Sequence, residues 1–366
     1  MSMNERFHQW IFNSFSVTAE GLGLLRIISS LFILFFLIPG QGTGHFAYLA
    51  DIPSDFFAPP PGPLMLLDGF PSVAVFQFLH TLLLFALFAM LLGYRTKLAS
   101  IAAGLSILLL QGFVFSVGKV NHEIVVALVP FLMAFSNWGA VFSLDSIRRG
   151  HDSRVESWPV TLLALFVGFM MFTAGFPKIL GGWLDPSTQA AQGHLLNQFF
   201  VRERQAFLAG YMVQFDSVIF WELLDWATVI FEIGFLVAVI NSRWFRYFVV
   251  FAVLFHFSTM MTLNIAFLPN FLAYAVFLNW DKIYQTNLEK YRRFTGKRGD
   301  RSKKRSLITL AGFTALLFLI LHWLSSMNFV LVESDLTLHE AAILIFALLV
   351  VIWIGAMKLI NRRNEE

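Results

Sequence analysis

The stretch Phe172–Trp183, which reads FTAGFPKILGGW, joins the apolar end of a long hydrophobic segment to a Gly-Gly-Trp turn. It contains one charged residue, Lys178, at the point where the hydrophobic run ends. One interpretation is an interfacial lysine, with its butyl stem in lipid and its ammonium among the headgroups. The other is a lysine inside the protein, where the loss of water favours a neutral amine that can act as a base. These residues alone leave both interpretations open.

The composition of the whole chain is typical of an integral membrane protein. Of its 366 residues, 57% are hydrophobic and 13% are charged, and the mean hydropathy is +0.70, far outside the range of soluble globular proteins. At about 20 residues per crossing, this length fits about ten transmembrane helices. We therefore predict an all-α, polytopic helical bundle in a single membrane domain.

The chain contains no cysteine, which excludes disulfides, thiolate nucleophiles, cysteine-ligated zinc and iron–sulfur clusters. Any chemistry must use histidine, lysine, acidic residues or a bound cofactor, and we predict no metal. The net charge is +3, but the basic residues fall in the connections between hydrophobic segments. They report orientation in the membrane, and we predict no nucleic-acid partner.

Within the single membrane domain, 1–366, we distinguish a core at 20–285, which is the extent of a family resemblance given below, a basic cytoplasmic linker at 286–305, and two additional C-terminal helices within 306–361. The predicted spans, in order, are about 21–38, 72–92, 98–117, a fourth that begins after His122 and ends near 142, then 158–180, 218–240, 245–263, 266–280, 306–324 and 340–360. The connection at 39–71, rich in proline and aromatic residues, is predicted to form an ordered cap or a re-entrant loop.

Lysine and arginine are concentrated in every second connection between these spans. The positive-inside rule then places both termini in the cytoplasm and the connections at 39–71 and 181–216 outside. We expect a bacterial inner membrane protein whose Lys178 lies near the outer surface.

Ionisable residues inside the spans are functional candidates by default. Histidines within spans are more often hydrogen-bonding partners between helices, which is the ordinary interpretation of His80 and His322. His122 follows Asn121 at the start of a span, and His256 lies near the middle of another. We therefore take His122 and His256 as catalytic candidates beside Lys178. Substrate-binding candidates are Asn121, His80, Trp183, Glu222 and Asp225.

The sixth predicted span carries Glu222, Asp225 and Glu232, whose spacing places all three on one side of a helix. A carboxylate stripe in a span must face protein or water. Arg26 is the only arginine deep in a hydrophobic segment. It either extends towards the cytoplasmic surface or forms a buried ion pair, and its predicted depth makes Glu232 the candidate partner.

Short motifs in the core resemble the vitamin K-dependent γ-carboxylase family and its bacterial relatives with the horizontally transferred transmembrane (HTTM) domain. The motifs are Ala174-Gly175-Phe176-Pro177-Lys178 with Trp183-Leu184, Asn121-His122, Asn137-Trp138 with Ser143-Leu144-Asp145, Phe255-His256 with Phe267-Leu268-Pro269, and Gly93-Tyr94-Arg95.

This resemblance implies that Lys178 is the base that deprotonates a reduced quinone, such as menaquinol or a vitamin K-like quinol. In the carboxylases the quinol anion reacts with oxygen to give a strong base, which removes a proton from a substrate glutamate so that carbon dioxide can add. His122 and His256 would then be polar partners of the quinol oxygens. The sequence shows no large extramembrane C-terminal domain of the kind that binds carboxylase substrates, and Pro177 precedes the lysine. The resemblance therefore favours a quinol or another lipid-embedded substrate over peptide carboxylation.

Three classes of function remain open from the sequence. The first is a membrane enzyme, carboxylase-like or epoxidase-like, that acts on a quinol or lipid. The second is a non-catalytic partner in the maturation or export of a secreted peptide, and the third is a small-molecule transporter. The expected partners are membrane lipids and the quinone or lipid substrate, with a secreted peptide as a further candidate.

Overall fold

The computed structural model describes residues 2–37, 46–149 and 154–295. The predicted spans at 306–324 and 340–360, and with them His322, lie outside the described residues. The described ranges contain helices and no β-strand. The α-helices are α1 (Met3–Asn13), α2 (Ala19–Phe32), α3 (Val73–Leu92), α4 (Thr96–Phe115), α5 (Ile124–Met133), α6 (Leu144–Arg149), α7 (Trp158–Leu180), α8 (Ala190–Leu196), α9 (Ala209–Val213), α10 (Val218–Ala238), α11 (Ser242–Leu263), α12 (Leu268–Val276) and α13 (Trp280–Thr295).

Five predicted spans correspond to the long helices α3, α4, α7, α10 and α11, and α7 begins and ends at the predicted residues. In the described part of the chain, four of these helices (α3, α4, α7 and α11) are long and apolar enough to cross a membrane. The structure thus supports an all-helical membrane protein. The larger count of spans and the cytoplasmic termini stay predictions.

Three predicted spans are interrupted. The first is α2 followed by a π-helical turn, Ile33–Leu37, and the eighth shrinks to the nine residues of α12. The fourth shrinks to the ten residues of α5, which contains Pro130. Beyond α5 the chain adopts left-handed conformations at Asn137 and Phe142, which α-helices do not tolerate. Hydropathy alone does not register such breaks.

The described residues divide into two compact units, one of residues 2–163 and 272–295 and one of residues 164–271. In the first unit, helices α3, α4 and α5 pack against their sequence neighbours. A Cβ atom on Gly104 of α4 would lie 2.7 Å from the Cβ of Phe131, so α4 and α5 approach closely where the glycine has no side chain.

Arg26 is completely buried in the first unit. Its guanidinium donates to the backbone carbonyl oxygens of Leu91 at 2.7 Å, Phe142 at 2.6 Å and Trp138 at 3.2 Å, and also to that of Met90. Met90 and Leu91 end α3, whose last carbonyls have no partner within the helix. Arg26 therefore joins α2 to the end of α3 and to the turn after α5.

The described part of the predicted outer connection at 39–71, residues 46–71, is ordered and belongs to the first unit. Three short 3-10 turns form it, at Ala47–Asp51, Ser54–Phe56 and Pro63–Leu66. Leu64 is buried against Gly112 of α4, where an added Cβ would lie 2.6 Å from its Cδ1.

In the second unit, α7 packs antiparallel to α10. A Cβ atom on Gly168 would lie 2.6 Å from the side chain of Val239. Two turns further along α7, a Cβ on Gly175 would lie 2.8 Å from the Cβ of Glu232. Two glycines on one face of α7 thus bring the helices together, as small residues commonly do in membranes.

Candidate active site

Lys178 is bound to Glu232 across the interface of α7 and α10. The lysine Nζ lies 2.5 Å from each carboxylate oxygen, so one ammonium donates to both. The Glu232 side chain is only 6% exposed, whereas the Lys178 side chain is 22% exposed. The ammonium therefore lies inside the protein, on a buried carboxylate, and keeps one side accessible.

Two neighbours set the position of the lysine. Gly175, one turn before it, allows Glu232 to approach the backbone of α7, since the Oε2 atom would lie 3.3 Å from an added Cβ. Trp183, just after the helix, places its ring centroid 5.0 Å from the Nζ atom, within range of a cation–π contact. The Gly-Gly turn between Lys178 and Trp183 folds the ring back over the ammonium, with Gly182 at a positive φ of 80°.

The other two carboxylates of α10 hold the connection between α7 and α10 in place. Asp225 is completely buried and accepts hydrogen bonds from the backbone N–H groups of Ala190 and Ala191, each at 2.8 Å. These N–H groups begin α8 and have no partner within that helix. Glu222 accepts a hydrogen bond from Gln189 at 3.2 Å. All three carboxylates thus contact protein, and Glu222 and Asp225 position the chain between α7 and α10. A part for them in substrate binding stays a prediction.

We name the connection at 181–216 the cap. It is hydrogen-bonded to the end of α11 as well as to α10. The Asn264 side chain makes a two-way amide contact with the backbone of Ala206, accepting at 2.8 Å and donating at 3.0 Å. The N–H of Leu208 donates to the carbonyl oxygen of Met261 at 2.8 Å. The cap is therefore attached to α10 at one end and to α11 at the other.

His194 on α8 is a neighbour of Lys178 that the sequence did not single out. Loss of water around its ring and the positive charge of Lys178 both lower its pKa below the usual value. The charge of Lys178 therefore disfavours the imidazolium form of this exposed side chain.

The structure corrects the predicted ion pair between Arg26 and Glu232. Glu232 is bound to Lys178, and Arg26 donates to backbone carbonyl oxygens. The prediction compared depths along separate helices, whereas pairing depends on which helices adjoin. The glycine face of α7 brings Lys178 to Glu232, and the carbonyls at the end of α3 satisfy the guanidinium.

His256 on α11 is nearly completely buried and forms a polar pair with Asn270 of α12. Its Nε2 lies 3.2 Å from the amide nitrogen of Asn270, and its ring centroid lies 4.5 Å from that of Phe267. Asn270 is 2% exposed, and its Oδ1 atom has no hydrogen-bond partner among the described residues. Inside the second unit, His256 therefore contacts both an aromatic ring and a buried amide side chain.

The remaining candidates belong to the first unit. Asn121 accepts a hydrogen bond from the N–H of Glu123 at 2.9 Å and so shapes the turn before α5. In that turn, burial and the nearby Lys119 ammonium lower the pKa of His122 to about 4. His80 is completely buried in α3, with its ring centroid 5.8 Å from that of Phe46. A meeting of His122 with Lys178 and His256 stays a prediction.

Sequence reasoning missed two contributors to the site, Gly168, which helps to set the helix contact, and Gln189, which holds the cap to Glu222. It quoted Gly175 as part of a motif and missed its part in the helix contact. The seven-residue spacing of the glycines was a usable signal, since it places both on one face of α7. Gln189 gave no such signal, because a polar residue in a connection is ordinary.

The long apolar helices are those of a helical integral membrane protein. Between them lie the ion pair of Lys178 and Glu232 and the buried pair of His256 and Asn270. Comparison with known families matches residues 17–281 to the HTTM domain, which is well over half of the chain. The chain therefore belongs to the HTTM family, as its motifs predicted. No curated protein and no solved structure matches it.

Proposed function

We propose that this protein is a membrane enzyme that acts on a quinol or another lipid-embedded substrate, with Lys178 as the general base. The observation that carries the proposal is the contact between Lys178 and Glu232. An intramembrane ion pair is costly to bury and is usually retained for function. Here the carboxylate is buried and the lysine is its more accessible partner, which is the arrangement expected of a reactive amine held by a positioning group.

The residues around Lys178 fit a ring that bears hydroxyl groups. An ammonium has three protons, and the two oxygens of Glu232 accept two of them. The third can meet a substrate oxygen, and the aromatic ring of Trp183 offers a flat apolar wall beside it. A reduced quinone bound there would supply the reducing chemistry that the side chains lack.

Glu232 can accept the proton that Lys178 must lose before it acts as a base. A lysine that acts as a base must first lose a proton, and the nearest acceptor is the carboxylate that already receives its hydrogen bonds. Transfer from Nζ to Glu232 leaves a neutral amine beside a neutral carboxylic acid. The amine can then take the hydroxyl proton of the substrate, so that the pair as a whole gains one proton. In this proposal Glu232 stores the proton and orients the lysine.

The outward placement of the site and the carboxylase-like or epoxidase-like reaction class belong to this proposal. They are supported by the distribution of basic residues and by the resemblance of residues 174–178 to the carboxylase motif. His122 and His256 are proposed as further partners of the substrate oxygens. A neutral His122, in keeping with its lowered pKa, suits that role because it can both donate and accept.

The proposal is tested first by bound lipid. Purified protein is extracted with organic solvent, and the extract is compared by mass spectrometry with the bulk lipid of the same membranes. We expect a quinone enriched in the extract of the wild type and depleted in that of Trp183→Ala, which lacks the aromatic wall. Lys282→Ala, which removes an exposed lysine elsewhere, is the matched control and should retain the quinone. A wild-type extract without enrichment, before and after incubation with menaquinol, would contradict the quinol proposal.

A further inference from the structure

Part of the backbone of the cap is hydrogen-bonded within the second unit. Ala190 and Ala191 donate to Asp225, Ala206 pairs with Asn264, and Leu208 donates to Met261. The exposed side chains of residues 196–215 are both polar and apolar, and the polar ones include Asn197, Gln205 and Gln214. Backbone groups satisfied within the protein are the requirement that lipid imposes.

The outer face of the cap is apolar and accessible. Phe200 is 64% exposed, Val201 is 70% exposed and Tyr211 is 77% exposed. Other large apolar side chains exposed on the same segment are Leu196, Phe207, Leu208 and Phe215. Apolar surface this extensive is uncommon on a water-facing part of a protein and marks an interaction site.

The same apolar surface continues onto the adjoining helices of the second unit. Leu180, at the end of α7, is 75% exposed, and Ile219, at the start of α10, is 74% exposed. Because α7 is long and apolar enough to cross a membrane, we place its exposed side chains against acyl chains. The cap begins directly after Leu180 and ends two residues before α10, so its apolar face continues the surface of these helices.

We propose that residues 196–215 of the cap dock into the acyl-chain region of the bilayer. Within this segment the charged residues are Arg202, Glu203 and Arg204, which follow one another and mark the level of the headgroups. Tyr211 adds an amphipathic ring of the kind enriched at membrane interfaces. This inference does not rest on the proposed reaction.

Single cysteines test the inference cleanly, since the chain has none. Phe200→Cys and Tyr211→Cys report the apolar face, and Ser187→Cys, at an exposed polar position of the same cap, is the matched control. Each variant is placed in phosphatidylcholine nanodiscs and treated with a charged maleimide. We expect the two apolar-face variants to react at least about tenfold more slowly than the control, because charged reagents are costly to place in hydrocarbon. All three should react equally in denaturant.

A second readout identifies what covers the face. A bimane fluorophore attached at position 200 or 211 should be quenched by lipids that carry a nitroxide on the acyl chain, and one at position 187 should not. Equal maleimide rates at all three positions would overturn the inference. So would slow labelling without nitroxide quenching, which would indicate that a second protein, and not lipid, covers the cap. Matching melting temperatures show that each variant is folded.

Discussion

Gly175 and Glu232 face each other at a close contact between α7 and α10, where a Cβ atom on the glycine would lie 2.8 Å from the Cβ of the glutamate. This approach is what allows Lys178, one turn later, to reach the Glu232 carboxylate with both hydrogen bonds. The ion pair therefore depends on a close contact between the helices, which Gly175 allows because it has no side chain.

Replacing that glycine should both destabilise the protein and loosen the ion pair. Gly175→Ala introduces a methyl group into contact with Glu232 and should cost about 1–3 kcal/mol, as overpacking does. Gly193→Ala is the matched control, since among the described residues nothing beyond its chain neighbours and its own helix backbone lies within 4 Å of the added Cβ; its effect should stay within about 0.5 kcal/mol. Thermal unfolding in detergent measures both. Equal melting temperatures for the two variants would contradict the close helix contact.

Lys178 and Glu232 should be energetically coupled, whereas Arg26 and Glu232 should not. Removing either member of a buried pair leaves the other charge without its partner. In a double-mutant cycle of Lys178→Met and Glu232→Gln we therefore expect a coupling energy of up to about 3 kcal/mol. The same cycle with Arg26→Met and Glu232→Gln should be additive, because Arg26 binds carbonyl oxygens. Coupling between Arg26 and Glu232, together with additivity between Lys178 and Glu232, would support the ion pair predicted from the sequence.

Asp225 should control the attachment of the cap. Asp225→Ala removes the acceptor of two N–H groups at the start of α8. We expect faster hydrogen exchange in Ala190–Leu196, with little change at α3 in the other unit. Glu222→Ala removes only the single side-chain contact with Gln189 and should have a smaller effect. Unchanged exchange in α8 of Asp225→Ala would show that other contacts hold the cap.

His122 should make the protein less stable in mild acid. Its pKa falls from 6.5 to about 4 on folding, because burial and Lys119 disfavour the imidazolium. Between these values the unfolded chain binds more protons than the folded one, so stability decreases as the pH falls through that window. The loss of melting temperature between neutral pH and about pH 5 should be smaller in His122→Gln than in the wild type. An equal loss in both would show that His122 is not held neutral.

The sequence was informative about single helices and weak about their neighbours. The limits of α7, the position of its lysine and the common face of the three carboxylates follow from local hydrophobic patterning, which needs no tertiary information. The partner of Lys178 could not be read in that way, because hydropathy gives depth and not adjacency. The short α5 was missed because Asn137 and Phe142 adopt conformations that composition does not reveal. The exposure of Phe200, Val201 and Tyr211 on the cap could not be predicted either, because the sequence does not show which apolar side chains of a connection are buried.

The most direct test of the central claim is the rate of quinol conversion by protein in nanodiscs that contain menaquinol, after air is admitted. Wild type, Lys178→Ala and Lys178→Arg are compared with protein-free nanodiscs, and a melting temperature above that of the assay ensures that each protein is folded. The account predicts conversion above background by the wild type and background rates for both variants, because guanidinium stays protonated and cannot act as a base. Wild-type turnover in Lys178→Arg, or a wild type at background, would contradict a catalytic lysine and favour a structural ion pair.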